Sequence, residues 1–588
     1  MKYAIATNTE DLNLALIQAA SKGDTNSVKD LVEQGADVNA ANKDRKTALM
    51  HAAQCRSGLE CVRFLVESGA EVHAVNKDRH NALMHAARNG RLPVVQYLAE
   101  QGANVNAIDQ IGRTSLIFAA RKGHYKVVKY LVDAGADVHA ANIRKKTVLM
   151  FAAEQGHSEI VKFLVEKGAH LNAVDNELNT ALLYAASKGN VDCVQVLAEQ
   201  GANLNAVNDS KTSALMYSAK RGMTDAVQVL VQFGADLDLA DNIQYTALMR
   251  AAMNGHRGVS EVLIQAGAEV NAVDEFQRTA LSYAACQGSL EVVRILVQGG
   301  AEVNAADKHQ TTVLMNAAQR GSLDIVMFLV ESGATVDAVD RYKRSAFMWA
   351  ALKNHLDIVK FLIQRETDLN SVDRFKRTTL MYAAQNECFE VIRFLIEQGA
   401  DLNLVDEDRK TALTHAGSMG KSNVVRFLIK CGARFDLSLL SNAKSLREVL
   451  QTWHWNLREL ESEYESVLNN QEIGLNLKEQ RLNRLWTKVE SWFILGADVK
   501  KAFEEDLPKK YPQIICTDGV VESFLLNYFD YFQSENGFQF KDDFSDESQF
   551  VYLTVKDVDS MFRIQFKQMK NEFDSVNEFL DFNQNKLR

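Results

Sequence analysis

Residues 142–175 read NIRKKTVLMFAAEQGHSEIVKFLVEKGAHLNAVD. The stretch TVLMFAA, from Thr147, opens a helix, and Gly156 ends it at a position suited to positive φ. Through SEIVKFLVEKG the apolar residues Ile160, Val161, Phe163, Leu164 and Val165 recur at helical spacing, which predicts a second helix capped by Gly168. AHLNAVDNELN then runs extended toward the next helix and turns back as a hairpin-like finger. Small residues such as Ala152 and Ala153 let paired helices approach closely.

The phrase recurs along most of the chain. Its closing Gly-Ala pair returns at Gly35, Gly69, Gly102, Gly135, Gly168, Gly201, Gly234, Gly267, Gly300, Gly333, Gly399 and Gly432, in steps of 33 with a single step of 34. At Glu366 the register continues without its glycine, so thirteen units run from about Leu12 to Gly432. A fixed period of this length marks an array whose units bury surface only against their neighbours. Arrays lengthen without enlarging a core, and they bind more often than they catalyse.

These residues resemble the ankyrin repeat, whose pattern runs roughly D-x-x-G-x-T-P-L-H-x-A-A-x-x-G-H. The resemblance covers about seven-tenths of the chain and returns a dozen times in register. Two departures are systematic. TALM (Thr47 to Met50, Thr246 to Met249) or TVLM (from Thr147 and Thr312) stands for T-P-L-H, and the finger glycine survives only at Gly112. The resemblance implies an all-α solenoid of helix–turn–helix units with hairpin fingers over residues 1–435, its first helices and fingers on a concave side. It is also loosely similar to ankyrin effectors of intracellular bacteria.

On that reading the residue after the TALM methionine points toward the groove. Down the array it is His51, His85, Phe118, Phe151, Tyr184, Tyr217, Arg250, Tyr283, Asn316, Trp349, Tyr382 and His415. Aromatic side chains give large contact area at low entropic cost and dominate binding hot spots. Packing between repeats is the competing explanation. Just beyond stand Arg88, Arg121, Lys122, Lys188, Lys220, Arg221, Arg320 and Lys353 against one acid, Glu154. The finger tips agree, with Arg144-Lys145-Lys146, Arg341, Lys343 and Arg344 in RYKR, and Arg374, Lys376 and Arg377 in RFKR. This basic face points to an acidic ligand, although solvated fingers also carry Lys and Arg for solubility.

Charge is unevenly placed. The chain carries a net −10, and from Asp436 onward 18 Lys/Arg stand against 27 Asp/Glu, leaving the array nearly neutral. Residues 436–588 read as an acidic, mainly helical domain, with helices expected at 445–470, 477–496, 519–533 and about 555–582. Repeats eleven and twelve read as a softer joint, because Asn354 and Glu387 replace the inter-helix glycine.

Several classes of chemistry lack their signatures. AGSMGKS (416–422) needs a glycine where His415 stands, so it is not a phosphate loop. His157-Ser158-Glu159 has no P-C-x-x-C partner, and no HExxH, EF-hand, kinase set or GxSxG occurs. No metal site or cofactor is expected. No apolar run approaches a membrane span, and seven scattered cysteines suit reduced thiols in the cytosol. If the chain is a secreted effector, the compartment is the host cytoplasm. The expected function is that of a monomeric, non-enzymatic adaptor gripping an acidic protein segment. Two alternatives stay open: an ankyrin-targeted enzyme with its catalytic centre in 436–588, and nucleotide or nucleic-acid binding by the basic aromatic groove, against which the array's near-neutral charge weighs.

Overall fold

The computed structural model describes residues 9–433 with the exception of Glu366. The helices expected after residue 436 lie outside the described residues. The chain divides into two compact units, 1–335 and 336–588. Among the described residues there are 26 helices in thirteen pairs and no strands, only isolated bridges such as Ala141 with Thr147. This is an all-α repeat solenoid, with ten pairs in the first unit and three in the second. Within each unit, a first helix packs on its own second helix and on the first helices of adjoining pairs.

The repeat over residues 142–175 shows why the sequence folds this way. The Thr147 hydroxyl caps the helix Val148–Glu154 by accepting the Met150 N–H at 3.3 Å. Ala152 and Ala153 are fully buried, because neighbouring first helices meet there without side chains between them. Gly156 turns the chain at φ 82, and Ser158–Glu166 then buries Ile160, Val161, Phe163 and Leu164. After Gly168 the Ala169 N–H returns to the Leu164 carbonyl at 2.9 Å, closing the helix end.

Repeats are tied by polar contacts as well as apolar ones. His157 Nε2 meets the Arg121 carbonyl of the preceding repeat at 3.3 Å, and His124 and His256 make the same contact on Arg88 and Lys220. These side chains satisfy carbonyls that a helix end would otherwise leave open. Gly123 is required at this junction: it holds φ 79, and a Cβ there would lie 2.6 Å from the His157 ring.

Each finger is built on an Asn or Asp. Asn142 Oδ1 accepts the N–H groups of Arg144 at 3.0 Å and Lys146 at 2.9 Å. The third residue after it is left-handed in every finger although only Gly112 is glycine. Arg45, Lys145, Leu178 and Gln244 hold φ between 56 and 63 in the first unit, as do Lys343 and Lys376 in the second. Adjacent fingers join through backbone, with Asn176 N–H donating to the Arg144 carbonyl at 3.0 Å and, in the second unit, Arg374 N–H to the Tyr342 carbonyl at 2.7 Å.

The second unit carries the departures from the repeat. Asn354 and Glu387 keep the left-handed turn at φ 63 and 59 without glycine. Leu356–Ile363 is one residue shorter than its counterpart Phe389–Glu397. Where Ala400 closes that counterpart through its backbone N–H, Thr367 donates its hydroxyl to the Leu362 carbonyl at 2.7 Å. A non-glycine residue in the left-handed region costs about 1–2 kcal/mol, more than the entropy a glycine adds to the unfolded chain, about 0.5–1 kcal/mol. The Glu387–Lys421 ion pair at 3.0 Å is partly exposed and offsets little of this. Glu387→Gly should therefore raise stability by about 0.5–1 kcal/mol, and a lower urea midpoint for the variant would refute the account.

Candidate functional site

The stripe residues lie against the fingers. His85, Phe118, Phe151, Tyr283, Tyr382 and His415 are buried, whereas His51, Tyr184, Tyr217, Arg250, Asn316 and Trp349 are half-buried. Most polar tips reach the finger Asn or Asp nine residues earlier. The Tyr184 hydroxyl donates to Asp175 at 2.6 Å, Tyr283 donates to Asp274, and Tyr382 to Asp373 at 2.6 Å. Asn208 donates to the Tyr217 hydroxyl at 3.1 Å, His415 meets Asp406 at 2.8 Å, and Arg250 pairs with Asp241. His51 lies 3.5 Å from Asn42.

Burial and the adjacent carboxylates push the Tyr184, Tyr283 and Tyr382 hydroxyls above the usual tyrosine range. His85 differs, because its Nε2 is buried without a partner. Burial, with His80, Lys46, His51 and Arg88 adding like charge, lowers it to about 3. Sequence reasoning missed the finger aspartates. Their signal is the recurring buried Asp with a polar ring or cation nine residues later.

The basic finger residues divide into two sets. Lys146, Arg344 and Arg377 are half-buried and paired: Lys146 with Glu154 at 2.8 Å, Arg344 with Asp340 at 2.8 Å, and Arg377 with Asp406 at 3.7 Å. Lys146 also lies 3.5 Å from the centre of the Tyr184 ring, and Arg344 4.0 Å from that of Trp349. Arg144, Lys145, Arg341, Lys343, Arg374 and Lys376 are exposed. Tyr342 and Phe375 stack between the two basic tips of the second unit, ring centroids 6.3 Å apart.

Arg88, Arg121, Lys122, Lys188, Lys220, Arg221 and Arg320 stand where first helices of the first unit end, and Lys353 does so in the second. None of them joins an ion pair among the described residues. The one acid of that row, Glu154, is neutralised by Lys146.

No group of three or more His, Cys, Asp or Glu suited to a metal ion occurs among the described residues, and no described helix is long and apolar enough to cross a membrane. In AGSMGKS, Ala416 and Gly417 belong to the helix Ala412–Ser418 and Gly420 turns at φ 67 into the next helix.

A family model described as "Ankyrin repeats (3 copies)" matches residues 2–76, 55–142, 116–208, 201–274, 267–340 and 347–438. Among curated proteins, none matches the chain.

Proposed function

Since the chain belongs to the ankyrin-repeat family, whose repeats mediate protein–protein interaction, we propose that it is a non-enzymatic adaptor whose first unit binds an acidic segment of a partner protein. The observation that carries this reading is the row of cations Arg88, Arg121, Lys122, Lys188, Lys220 and Arg221, none of them in an ion pair among the described residues. Helix C-termini favour cations in general, but that effect acts on every first helix alike. The later helices Ala247–Met253 and Ala280–Gln287 end in Met253 and Asn254 and in Cys286 and Gln287. Over residues 88–221 four of five first helices end in such cations, Val148–Glu154 being the exception. Among the three later ones of the first unit only Val313–Arg320 does. This uneven distribution calls for a second cause, and an anionic partner supplies one. The half-buried Tyr184 and Tyr217 stand one helical turn before Lys188 and Arg221, on the helices Ala181–Lys188 and Ala214–Arg221. The reading carries with it a monomer working in the cytosol, or in a host cytosol if the chain is exported.

The test is capture from cytosol with the full chain and with an Arg121→Glu/Lys122→Glu/Lys220→Glu/Arg221→Glu variant of unchanged melting temperature. A partner with an acidic segment should bind the parent, lose about a hundredfold in affinity to the variant, about 2.7 kcal/mol, and weaken steeply with salt. Equal capture by both proteins would end the proposal. Competition by single-stranded oligonucleotide would transfer the row to nucleic acid.

A further inference from the structure

The second unit contains a cleft of about 600 Å3, within the range of ligand sites. Residues that break the repeat converge on it. Thr367 lines it where the other repeats place a buried alanine, such as Ala334, Ala400 or Ala433. Ser371 lines it at a position that holds alanine or leucine elsewhere, as at Ala305, Ala338 and Leu404. The corresponding Asn304 ties the first unit's last repeats, donating to the Gly333 carbonyl at 3.1 Å and accepting the Thr335 N–H at 2.8 Å. Asp337, which takes that position in the cleft, makes neither bond among the described residues.

The lining has three kinds of surface. Lys343 and Arg365 are exposed cations at the cleft, and neither joins an ion pair among the described residues. The Ser371 hydroxyl oxygen is buried there without a hydrogen-bond partner, a loss of stability that a ligand would repair. Asp337 and Asp368 offer carboxylates, and Val339 and Val372, 46% and 43% exposed, offer apolar contact above the buried Met348. We infer that this cleft binds an extended peptide segment, whose acidic side chain meets Arg365, Lys343 and Ser371 while its backbone N–H groups face Asp337 and Asp368 and an aliphatic side chain rests on Val339 and Val372. An inorganic anion would use the cations alone and leave the apolar wall and carboxylates unmatched. The site is separate in sequence and unit from the cation row over residues 88–221.

Methyl NMR of the full chain, with labelled methionines, tests this by location. Met348 reports the cleft, and Met223, two residues after Arg221, reports the row in the first unit. The probe is the peptide Glu-Val-Glu-Val-Glu, with Lys-Val-Lys-Val-Lys as control. The Met348 signal, identified by its loss in Met348→Leu, should shift saturably with the acidic peptide. Arg365→Gln/Ser371→Ala should need at least tenfold more peptide while melting no lower than the parent, since Gln398 and Ala338 occupy the same positions in neighbouring repeats and alanine removes the unpartnered hydroxyl. An unmoved Met348 signal, an equal shift in the double variant, or an equal shift with the lysine peptide would overturn the site. A response of Met223 alone would leave the adaptor reading standing and the cleft refuted.

Discussion

Asp274→Ala is expected to destabilise the chain by about 3 kcal/mol, toward the lower end of what breaking a buried charge pair costs. Asp274 is 4% exposed and organises its finger with both oxygens. Oδ1 accepts the Phe276 and Arg278 N–H groups, each at 2.8 Å. Oδ2 receives the Arg278 guanidinium at 3.0 Å and the Tyr283 hydroxyl, which itself contacts the Tyr245 hydroxyl at 3.0 Å. Alanine leaves the Arg278 cation and two backbone donors without this acceptor, and the Tyr283 phenol with only the Tyr245 hydroxyl. The Arg278 side chain is 31% exposed, so water recovers part of that loss. Asp274→Asn should cost only about 1–2 kcal/mol, because the amide oxygen still serves the two N–H groups, as Asn142 does in its own finger. Urea midpoints followed by circular dichroism decide the matter. An alanine cost under about 1 kcal/mol, or an asparagine equal to alanine, would show that this carboxylate does not organise the finger.

The helix pairs were legible from the recurring glycine and the apolar spacing, since left-handed turns and buried faces leave a direct mark on composition. Gly156 and Gly168 sit at φ 82 and 86, as their places in the repeat require. The finger turns left no such mark. Lys145, Leu178 and Gln244 adopt the same left-handed angle, held by the Asn or Asp three residues earlier and by backbone bonds to the next finger. Side-chain identity at the strained residue therefore carries no signal. The stripe was legible as a position but not as an environment. The aromatic residues there pointed to binding, with packing between repeats as the competing explanation, and tyrosine satisfies a buried position once its hydroxyl finds an acceptor, as Asp175, Asp274 and Asp373 supply. Those acceptors lie nine residues back, beyond the reach of a helical or strand period. The cleft was invisible for another reason: Thr367, Ser371 and Asp337 are unremarkable residues individually and differ only from their own counterparts one period away.

Acid should weaken the first unit through His85, and linkage sets the size of the effect. Folding lowers this imidazole from 6.5 to about 3. Above the unfolded value neither state carries the proton, and stability does not depend on it. As pH falls through 6.5 the unfolded chain gains a proton that the folded chain refuses, so stability falls by about 1.4 kcal/mol per unit. The loss levels off below the folded value, after a total of roughly 4–5 kcal/mol. His51 and His415, also lowered by burial, add to the same slope. The decisive variant is His85→Phe, since Phe118 and Phe151 fill the same position in the next two repeats and are buried there. It removes the orphaned Nε2 and the proton-binding site together. At pH 7.5 the variant should match or exceed the parent, and the gap between them should widen by about 1.4 kcal/mol per unit below pH 6. Urea midpoints at pH 7.5, 6.0 and 4.5 measure that gap. Parallel curves would mean that His85 takes up its proton in the folded chain as readily as in the unfolded one, and that acid acts elsewhere.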